Sequence, residues 1–526
     1  LSSAKLELLA PAGNTFSLYA AIENGADAVY LGGKDFSARQ YAENFTEEEL
    51  KKAVKYAHNK EVKVYVTVNI LVAESELKKV AHFLNFLSQA NVDAVIVQDL
   101  GVIELIKDLN PHLPLHASTQ MTIHNLSGVK FLEDVGFKRV TLARELTLKE
   151  INKIRENTKL ELEIFIHGAL CFSYSGLCLF SSMVGGRSGN RGRCTQPCRL
   201  PYQLIRAQGD KSTRAPEHEK VHSPQSTVHR GQKGRRAPGH QSRGRDRSVR
   251  ESKYFLSTKD LCLINYIPQL IESKIDAFKI EGRMKRPEYV AVVTRIYREV
   301  IDRYLCTRAQ EHKSTRKSIV HSPQSIEDRR AEGHKREKEG FFVHEEEERD
   351  LYQIFNRGFT TGYLLGDPEE DLMSPQRPNN RGVYLGRVID YKDKEVKIKL
   401  ENDLAVGDKI EVWVSRGGRE RIVVNKMEDE GKRVTKGCRG SLVTIKGADL
   451  TKASSSPQAV DYGLWTMDYG PRKASSIQNR GLTPSIRQKD RVFKIEDKEL
   501  IKRARESFLS KGSDLTKASS SPQAVD

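Results

Sequence analysis

The sequence predicts an α/β chain: a TIM-like (β/α)8 barrel followed by a small antiparallel β-barrel domain, with low-complexity insertions. Three observations lead there. Short β-branched runs alternate with amphipathic helical patterns through the first 306 residues. Eight such runs occur, the number that a closed parallel barrel requires. Polar residues and glycines recur where the runs end, and barrel enzymes place their chemistry at those ends. An open, doubly wound sheet is the alternative reading of the same alternation.

The runs are LELLAP from Leu6, DAVYLGG from Asp27, VKVYVTVN from Val62, DAVIVQD from Asp93, LPLHAST from Leu113, RVTLAR from Arg139, LELEIFIHG from Leu160 and DAFKIEG from Asp276. Helical patterns such as TEEELKKAVKYAHNK and SELKKVAHFLNFLSQA lie between them. Thr46 followed by Glu49 has the spacing of a capping box at the start of the first of these. The run ends carry Pro11-Ala12-Gly13, Gly32-Gly33, Asn69, Gln98-Asp99, His116, Ser118, Gln120, Arg144, His167-Gly168 and Glu281-Gly282-Arg283. Together they predict a polar barrel mouth. His116, Gln120, Arg144, His167, Glu281 and Arg283 are its candidate catalytic residues.

Beyond the barrel, LYQIFNRGFTTGYLLG leads into RGVYLGRVIDYKDKEVKIKLENDLAVGDKIEVWV, whose alternation and tight turns read as the small β domain. The expected organisation is a barrel over residues 1–306 with a disordered insertion at about 209–252, and a low-complexity linker over 307–349. A connector and β-barrel follow over 350–448, then a repeat-containing linker over 449–488. Residues 489–526 read as the start of a further domain, cut short by a tail repeat.

Repeats interrupt this plan. KSTR…VHSPQS occurs at Lys211–Ser226 and, shortened, at Lys313–Ser325; DLTKASSSPQAVD occurs at Asp449–Asp461 and again at Asp514–Asp526. Rich in Ser, Pro, Arg and Gln, these tracts have too little apolar surface to offset ordering entropy. HEKVH at His218–His222 has the H-E-x-x-H form of zinc proteases, but Pro216 and Pro224 bracket it inside a polar repeat, so it reads as a chance match. The net charge is +17, and the tracts 210–251 and 311–339 contribute +6 and +2 of it. Basicity therefore argues for nucleic acid only weakly. No apolar run of about 18 residues and no leader pattern is evident, so no membrane partner and a cytoplasmic location are expected.

The chemistry concentrates after the seventh run. Cys171, Cys178, Cys194 and Cys198 form C-x6-C-x15-C-x3-C, with the cationic, glycine-rich GGRSGNRGR between the pairs. Four thiolates gathered by a flexible loop suit an iron–sulfur cluster, and the six-residue spacing of the first pair is wider than that of a zinc knuckle; zinc and unligated thiols stay open. Arg187, Arg191, Arg193 and Arg199 surround this segment as candidates for binding phosphate, or as a solvated counter-charge. Cys262, Cys306 and Cys438 read as ordinary apolar residues.

LELLAPAGN, GADAVYLGG, EIFIHGALCFSYSGLCLFSS, NRGRCTQPCRLPY, STKDLCLI and KIEGRMKRPEYVA resemble, in order, the motifs of the U32, collagenase-like, peptidase family. The pattern is closest in appearance to that family's ribosomal RNA cytidine hydroxylase branch. The resemblance implies a four-cysteine [4Fe–4S] cluster on Cys171, Cys178, Cys194 and Cys198, hydroxylation of a ribosomal or transfer RNA base, and a small anionic, prephenate-like co-substrate. It equally implies the alternative of a collagenase-like peptidase. No Gly-x-Ser-x-Gly elbow is present, and the only dyad to propose is Cys171 with His167. An inactive product of a reading frame interrupted by repeats is the remaining alternative.

Overall fold

Closure of the barrel is visible in the strand pairings of the computed structural model, which describes residues 6–202, 253–318, 341–414, 418–446, 451–452 and 486–509. The HEKVH tract and the final tail repeat lie outside these residues. Strands β1 (Glu7–Pro11), β2 (Ala28–Gly32), β3 (Lys63–Val68), β4 (Ala94–Val97), β5 (Leu115–Ala117), β6 (Arg139–Thr141) and β7 (Glu161–Ala169) pair in chain order, all parallel. Strand β9 (Ala277–Ile280) closes the ring, with Phe278 in register with Leu8 of β1 and Ile164 of β7. All eight expected strands are therefore present in a TIM-like barrel, and the ring excludes the doubly wound alternative. One short strand, β8 (Asp260–Cys262), runs antiparallel to the far end of β7, pairing His167 with Cys262.

Helices cover the outside: α1 (Thr15–Glu23), α2 (Glu47–His58), α3 (Leu77–Gln89), α4 (Leu100–Leu109), α5 (Leu126–Val135), α6 (Leu148–Arg155), and α7 (Phe180–Gly185) within the cysteine segment. They are followed by α8 (Ile267–Glu272) and the long α9 (Pro287–Ser318). The capping box at α2 forms: Glu49 N–H donates to Thr46 Oγ1 (3.2 Å) and Thr46 N–H to Glu49 Oε2 (2.8 Å). Such a cap stabilises a helix by about 0.5–2 kcal/mol.

Inside the barrel the packing is ionic as well as apolar. Glu7 accepts from Arg139 Nη1 (2.5 Å), Tyr65 OH (2.9 Å) and Lys63 Nζ (3.0 Å). Glu163 accepts from Thr141 Oγ1 (2.6 Å) and Lys279 Nζ (2.8 Å), with Arg139 Nη1 at 3.5 Å. Lys279 Nζ also lies 4.5 Å from the Tyr30 ring centroid. Residues from β1, β3, β6, β7 and β9 are thus tied by one network of paired charges, buried except for Lys63 at its edge, as burial of charge requires.

Among the described residues, the β domain is a nine-stranded antiparallel sheet, a half-barrel whose edge strands do not pair with each other. Its core is Leu385, Val388, Val396, Ile398, Ile410, Val412, Ile422, Val443, Ile445 and Val492. The structure corrects two expected boundaries. Strand Arg491–Glu496 lies between strands Val383–Lys392 and Lys409–Trp413, so it is central to this sheet and does not begin a further domain. The helix that follows it, Lys498–Leu509, buries Leu500, Ala504 and Phe508 against the barrel, where Asn24 Nδ2 donates to Ser507 Oγ (2.9 Å) and Arg505 pairs with Glu288 (2.7 Å). The expected linker 307–349 likewise holds the end of α9 and the start of helix α10 (Glu345–Ile354).

Two outcomes follow. Burial raises the Glu7 pKa, but Arg139 and Lys63 outweigh it and hold the carboxyl below its ordinary value. A depressed carboxylate contributes stability above its unfolded pKa and loses it as pH falls through the folded value. Arg139→Ala should therefore destabilise the barrel by about 3–5 kcal/mol at pH 7 in urea unfolding, and by less near pH 3. Termination after residue 485 should yield insoluble protein in a solubility assay, because the sheet loses a central strand and the barrel loses its C-terminal helix.

Candidate active site

Gly168 determines how the site is assembled. It adopts φ +108°, and a Cβ there would fall 2.6 Å from the carbonyl oxygen of Glu281. Only glycine lets the end of β7 lie this close to the end of β9. The chain then turns into the cysteine segment and crosses the mouth. Ser175 anchors it by hydrogen bonds to the Glu145 carboxylate. Asn190 accepts from Cys178 N–H at its side chain (3.0 Å), and its carbonyl accepts from Leu71 N–H (3.1 Å) and Gln98 Nε2 (3.3 Å). On the far side, Gln40 N–H donates to Gly192 O (3.3 Å). Gly192 has φ +78°, and a Cβ there would meet Ser37 O at 2.3 Å. The loop is thus latched from β7 across to the ends of β2, β3 and β4.

This path brings the four cysteines together. All are free thiols; Cys171 is exposed and Cys178, Cys194 and Cys198 are half-buried. The Cys194 thiol is pushed up by burial and by the negative charge of Cys171 and Cys178. Burial, together with Cys171, Cys194 and Cys178, pushes Cys198 up to about 11. Cys194 and Cys198 therefore each lie in the field of Cys171 and Cys178. Phe180 N–H donates to Cys178 Sγ (3.3 Å) and Gln196 N–H to Cys194 Sγ (3.4 Å), bonds of the kind that tune cluster thiolates. Among the described residues, no group of three or more His, Cys, Asp or Glu is disposed to hold a metal ion. Four cysteines on one loop, with N–H···S bonds to two of them, have the donor chemistry of an iron–sulfur cluster and equally of a tetrahedral zinc.

Under the loop, Arg283 Nη1 donates to Thr67 Oγ1 (2.6 Å), and its Nη2 to Ser37 Oγ (2.6 Å) and Asn44 Oδ1 (3.1 Å). Burial lowers its pKa to about 10. Glu281 pairs with Arg39 at 3.3 Å, and Arg39 also lies in the field of Cys194 and Cys171. Gln120 and Arg144 both approach Gly176, and Arg144 stands 5.3 Å over the Phe165 ring. His116 Nδ1, Gln120 Oε1 and Arg283 Nε are buried atoms with no partner among the described residues. Unmet buried polar atoms are rare in folded proteins and mark places where a ligand or water is received.

The two histidines lie elsewhere than at the mouth. His116 sits inside the barrel, its ring 4.6 Å from that of Tyr65, and burial followed by Arg139 and Lys279 keeps it neutral. His167 is buried among Tyr289, Tyr297 and Phe359; its Nδ1 lies 3.3 Å from Tyr297 OH, and burial lowers its pKa to about 4. It is a neutral packing residue with no thiol bonded to it, so Cys171 and His167 form no dyad.

The arginines divide. Arg199 donates to Ser257 Oγ (2.8 Å), Thr258 O (2.5 Å), Thr258 Oγ1 (2.9 Å) and Leu170 O (3.0 Å), which clamps the Cys198 turn to the barrel. Arg191 pairs with Glu76 at 2.7 Å. Neither is free to bind phosphate as the sequence reading expected. Arg187, half-buried, reaches Tyr41 at 3.5 Å, and exposed Arg193 reaches Gln40 at 2.9 Å; both remain at the surface. Cys306 and Cys438 are exposed, contrary to the apolar role expected of them. Arg39, Lys285 and the buried pair Arg357–Asp260 are not singled out by sequence; all but Arg39 lie in motifs already quoted, but nothing in their spacing marks them.

A barrel whose seventh strand feeds a four-cysteine loop across its own mouth defines a class, a barrel enzyme with a thiol-lined site. The chain belongs to peptidase family U32: residues 13–374 match that family. It is 37% identical over 453 residues to an uncharacterized protease of Methanocaldococcus jannaschii, covering 84% of this chain and 95% of that one. It is 33% identical over 413 residues to tRNA hydroxylation protein P1 of Bacillus subtilis, covering 78% of this chain and 83% of the relative. The match to the 23S rRNA 5-hydroxycytidine synthase of Escherichia coli is 34% over 416 residues, spanning 79% of this chain and 54% of that longer protein.

Arg199→Ala should lower stability by about 2–4 kcal/mol in chemical denaturation, since four buried or half-buried acceptors lose their donor. Arg187→Ala should change it by less than about 0.5 kcal/mol.

Proposed function

We propose that this protein hydroxylates a base of ribosomal or transfer RNA, with Cys171, Cys178, Cys194 and Cys198 holding a [4Fe–4S] cluster. The observation that supports the reading is the latched loop, which carries the four cysteines across the barrel end where Gln120 Oε1 and Arg283 Nε are unpartnered. The relatives named for tRNA and rRNA hydroxylation support the choice of RNA. When bound, such a cluster supplies one-electron chemistry at the mouth.

The chain's own groups have separate tasks in this reading. Arg187 and Arg193 hold backbone phosphates at the rim. Phe172 and Tyr174, exposed at 42% and 51% on the same loop, offer rings for stacking an unpaired base. Gln120 Oε1 accepts from the base edge and Arg283 Nε donates to it. Arg39, beside Glu281, and Arg144 provide the positive field for the small anionic co-substrate. A cytoplasmic location belongs to the same proposal, since reducing conditions keep the cysteines as thiols; no helix among the described residues is long and apolar enough to cross a membrane.

The test combines product and composition. Expressed in a host without its own hydroxylase of this kind, the protein should add one oxygen to a pyrimidine of ribosomal or transfer RNA, seen by nucleoside mass spectrometry, and Cys194→Ala should abolish the product. Anaerobically purified protein should contain about four iron and four sulfide per chain. Gelatin hydrolysis that persists after chelation and in Cys178→Ala, without RNA oxidation, would contradict the proposal and favour a peptidase. Arg193→Ala should weaken RNA binding and reduce the salt dependence by about one unit of slope.

A further inference from the structure

One face of the β half-barrel gathers arginines around a tryptophan. Glu411, on strand Lys409–Trp413, is fully buried and accepts from Arg377 Nη1 (2.6 Å) and Nη2 (3.3 Å). Strand Arg419–Val423 pairs with this strand, placing Arg419 opposite Trp413 and Arg421 opposite Glu411. Arg421 reaches the same carboxylate at 3.3 Å, and Arg419 only at 3.8 Å. On the other side Arg491 lies opposite Trp413, and Arg387 lies opposite Arg491. Both are exposed, and among the described residues the Arg491 side chain has no hydrogen bond or ion pair. Like charges placed directly across a sheet destabilise it. Repulsion is felt inside the cluster as well. Burial lowers the Arg377 pKa to about 10, and Arg419 and Arg421 add to the lowering that Glu411 opposes.

Trp413 stands among these cations. The guanidinium carbons of Arg491, Arg377 and Arg419 lie 5.5, 5.7 and 5.8 Å from its ring centroid. The ring packs on Phe493 with centroids 4.3 Å apart, and Phe493 meets Tyr384 at 5.4 Å. Trp413 Nε1 donates to Glu411 Oε1 (3.1 Å), so its polar edge is already satisfied. Trp413 and Tyr384 are half-buried, and part of each ring is open to solvent. One cation–π contact is ordinary in a folded protein. Three on one half-open ring, beside an arginine without an anion, make the composition of a single-strand surface. There guanidinium forks hold phosphates and a ring receives a base.

The segment that supplies Arg377 also ties this face to the cysteine loop. Ser374 N–H donates to Ser257 O (2.6 Å), and Ser257 Oγ accepts from Arg199 Nη1 (2.8 Å). We propose that this face binds single-stranded RNA outside the barrel mouth, with Arg419 and Arg491 on successive phosphates and a base against Trp413. The choice of RNA rests on the reading of the mouth given above; the cationic, aromatic surface does not.

The full chain has two tryptophans, so a Trp465→Phe background lets fluorescence report Trp413. Titration with a single-stranded oligouridine of about 12 nucleotides should quench that signal, whereas polyglutamate should not. Arg419→Ala combined with Arg491→Ala should weaken binding at least about tenfold and make the salt slope shallower by about 1.4. No quenching, equal quenching by polyglutamate, or unchanged affinity and slope in the double variant would overturn the proposal. The quenching is read with every arginine intact, so the test does not depend on the double variant folding. Quenching and a shallower slope without any oxidised nucleoside would uphold this surface and count against the hydroxylase reading. Oxidised RNA with an unaffected double variant would do the reverse.

Discussion

The contact between Glu7 on the first strand and Arg139 on the sixth, at 2.5 Å inside the barrel, is the constraint on which the rest depends. Through Glu163, Lys279 and Tyr65 the same network reaches β3, β7 and β9. A ring of parallel strands closes only if each interior position is filled. Here several are filled by charges that cannot separate without leaving a partner unpaired in a medium of low polarity. Such a core stabilises less than apolar packing would, yet it penalises any shift of register strongly. The strand ends above it are therefore held in place, and the mouth residues inherit that precision.

What stands on this platform is a loop that would be shapeless alone. Glycine-rich and carrying four thiols that repel one another as thiolates, the cysteine segment is held by contacts to five barrel loops or strand ends. Arg199 and Arg191, both within the segment, are two of the latches. The C-terminal helix closes the arrangement from the other side: it returns from the β half-barrel to pack on α1 and α9. The barrel thus supports the cysteine loop at one set of contacts and the C-terminal helix at another.

Much of this was legible in the sequence. The eight β-branched runs became the eight barrel strands, and the Thr46–Glu49 spacing became a capping box, because both signals are local. The four cysteines stood out for the same reason. The ionic interior did not, although Glu7 and Lys279 lie within runs that had been recognised; a charge inside a strand does not name its partner 132 residues away. His167 misled because a polar residue at a strand end resembles a mouth residue, whereas irregular register between Phe165 and His167 aims it at α9. Arg191 and Arg199 looked like free cations until their acceptors came into view. The strand at 491–496 was recognised but its place was not, since its partners lie about 80 to 110 residues earlier.

The central claim, four cysteines around one iron–sulfur cluster at the barrel mouth, is tested most directly by iron-edge X-ray absorption on anaerobically purified protein. The account predicts a first shell of sulfur together with iron–iron scattering, both lost in Cys198→Ser. A metal bound by four sulfurs with no metal–metal scattering, or no bound metal in folded protein, would contradict it.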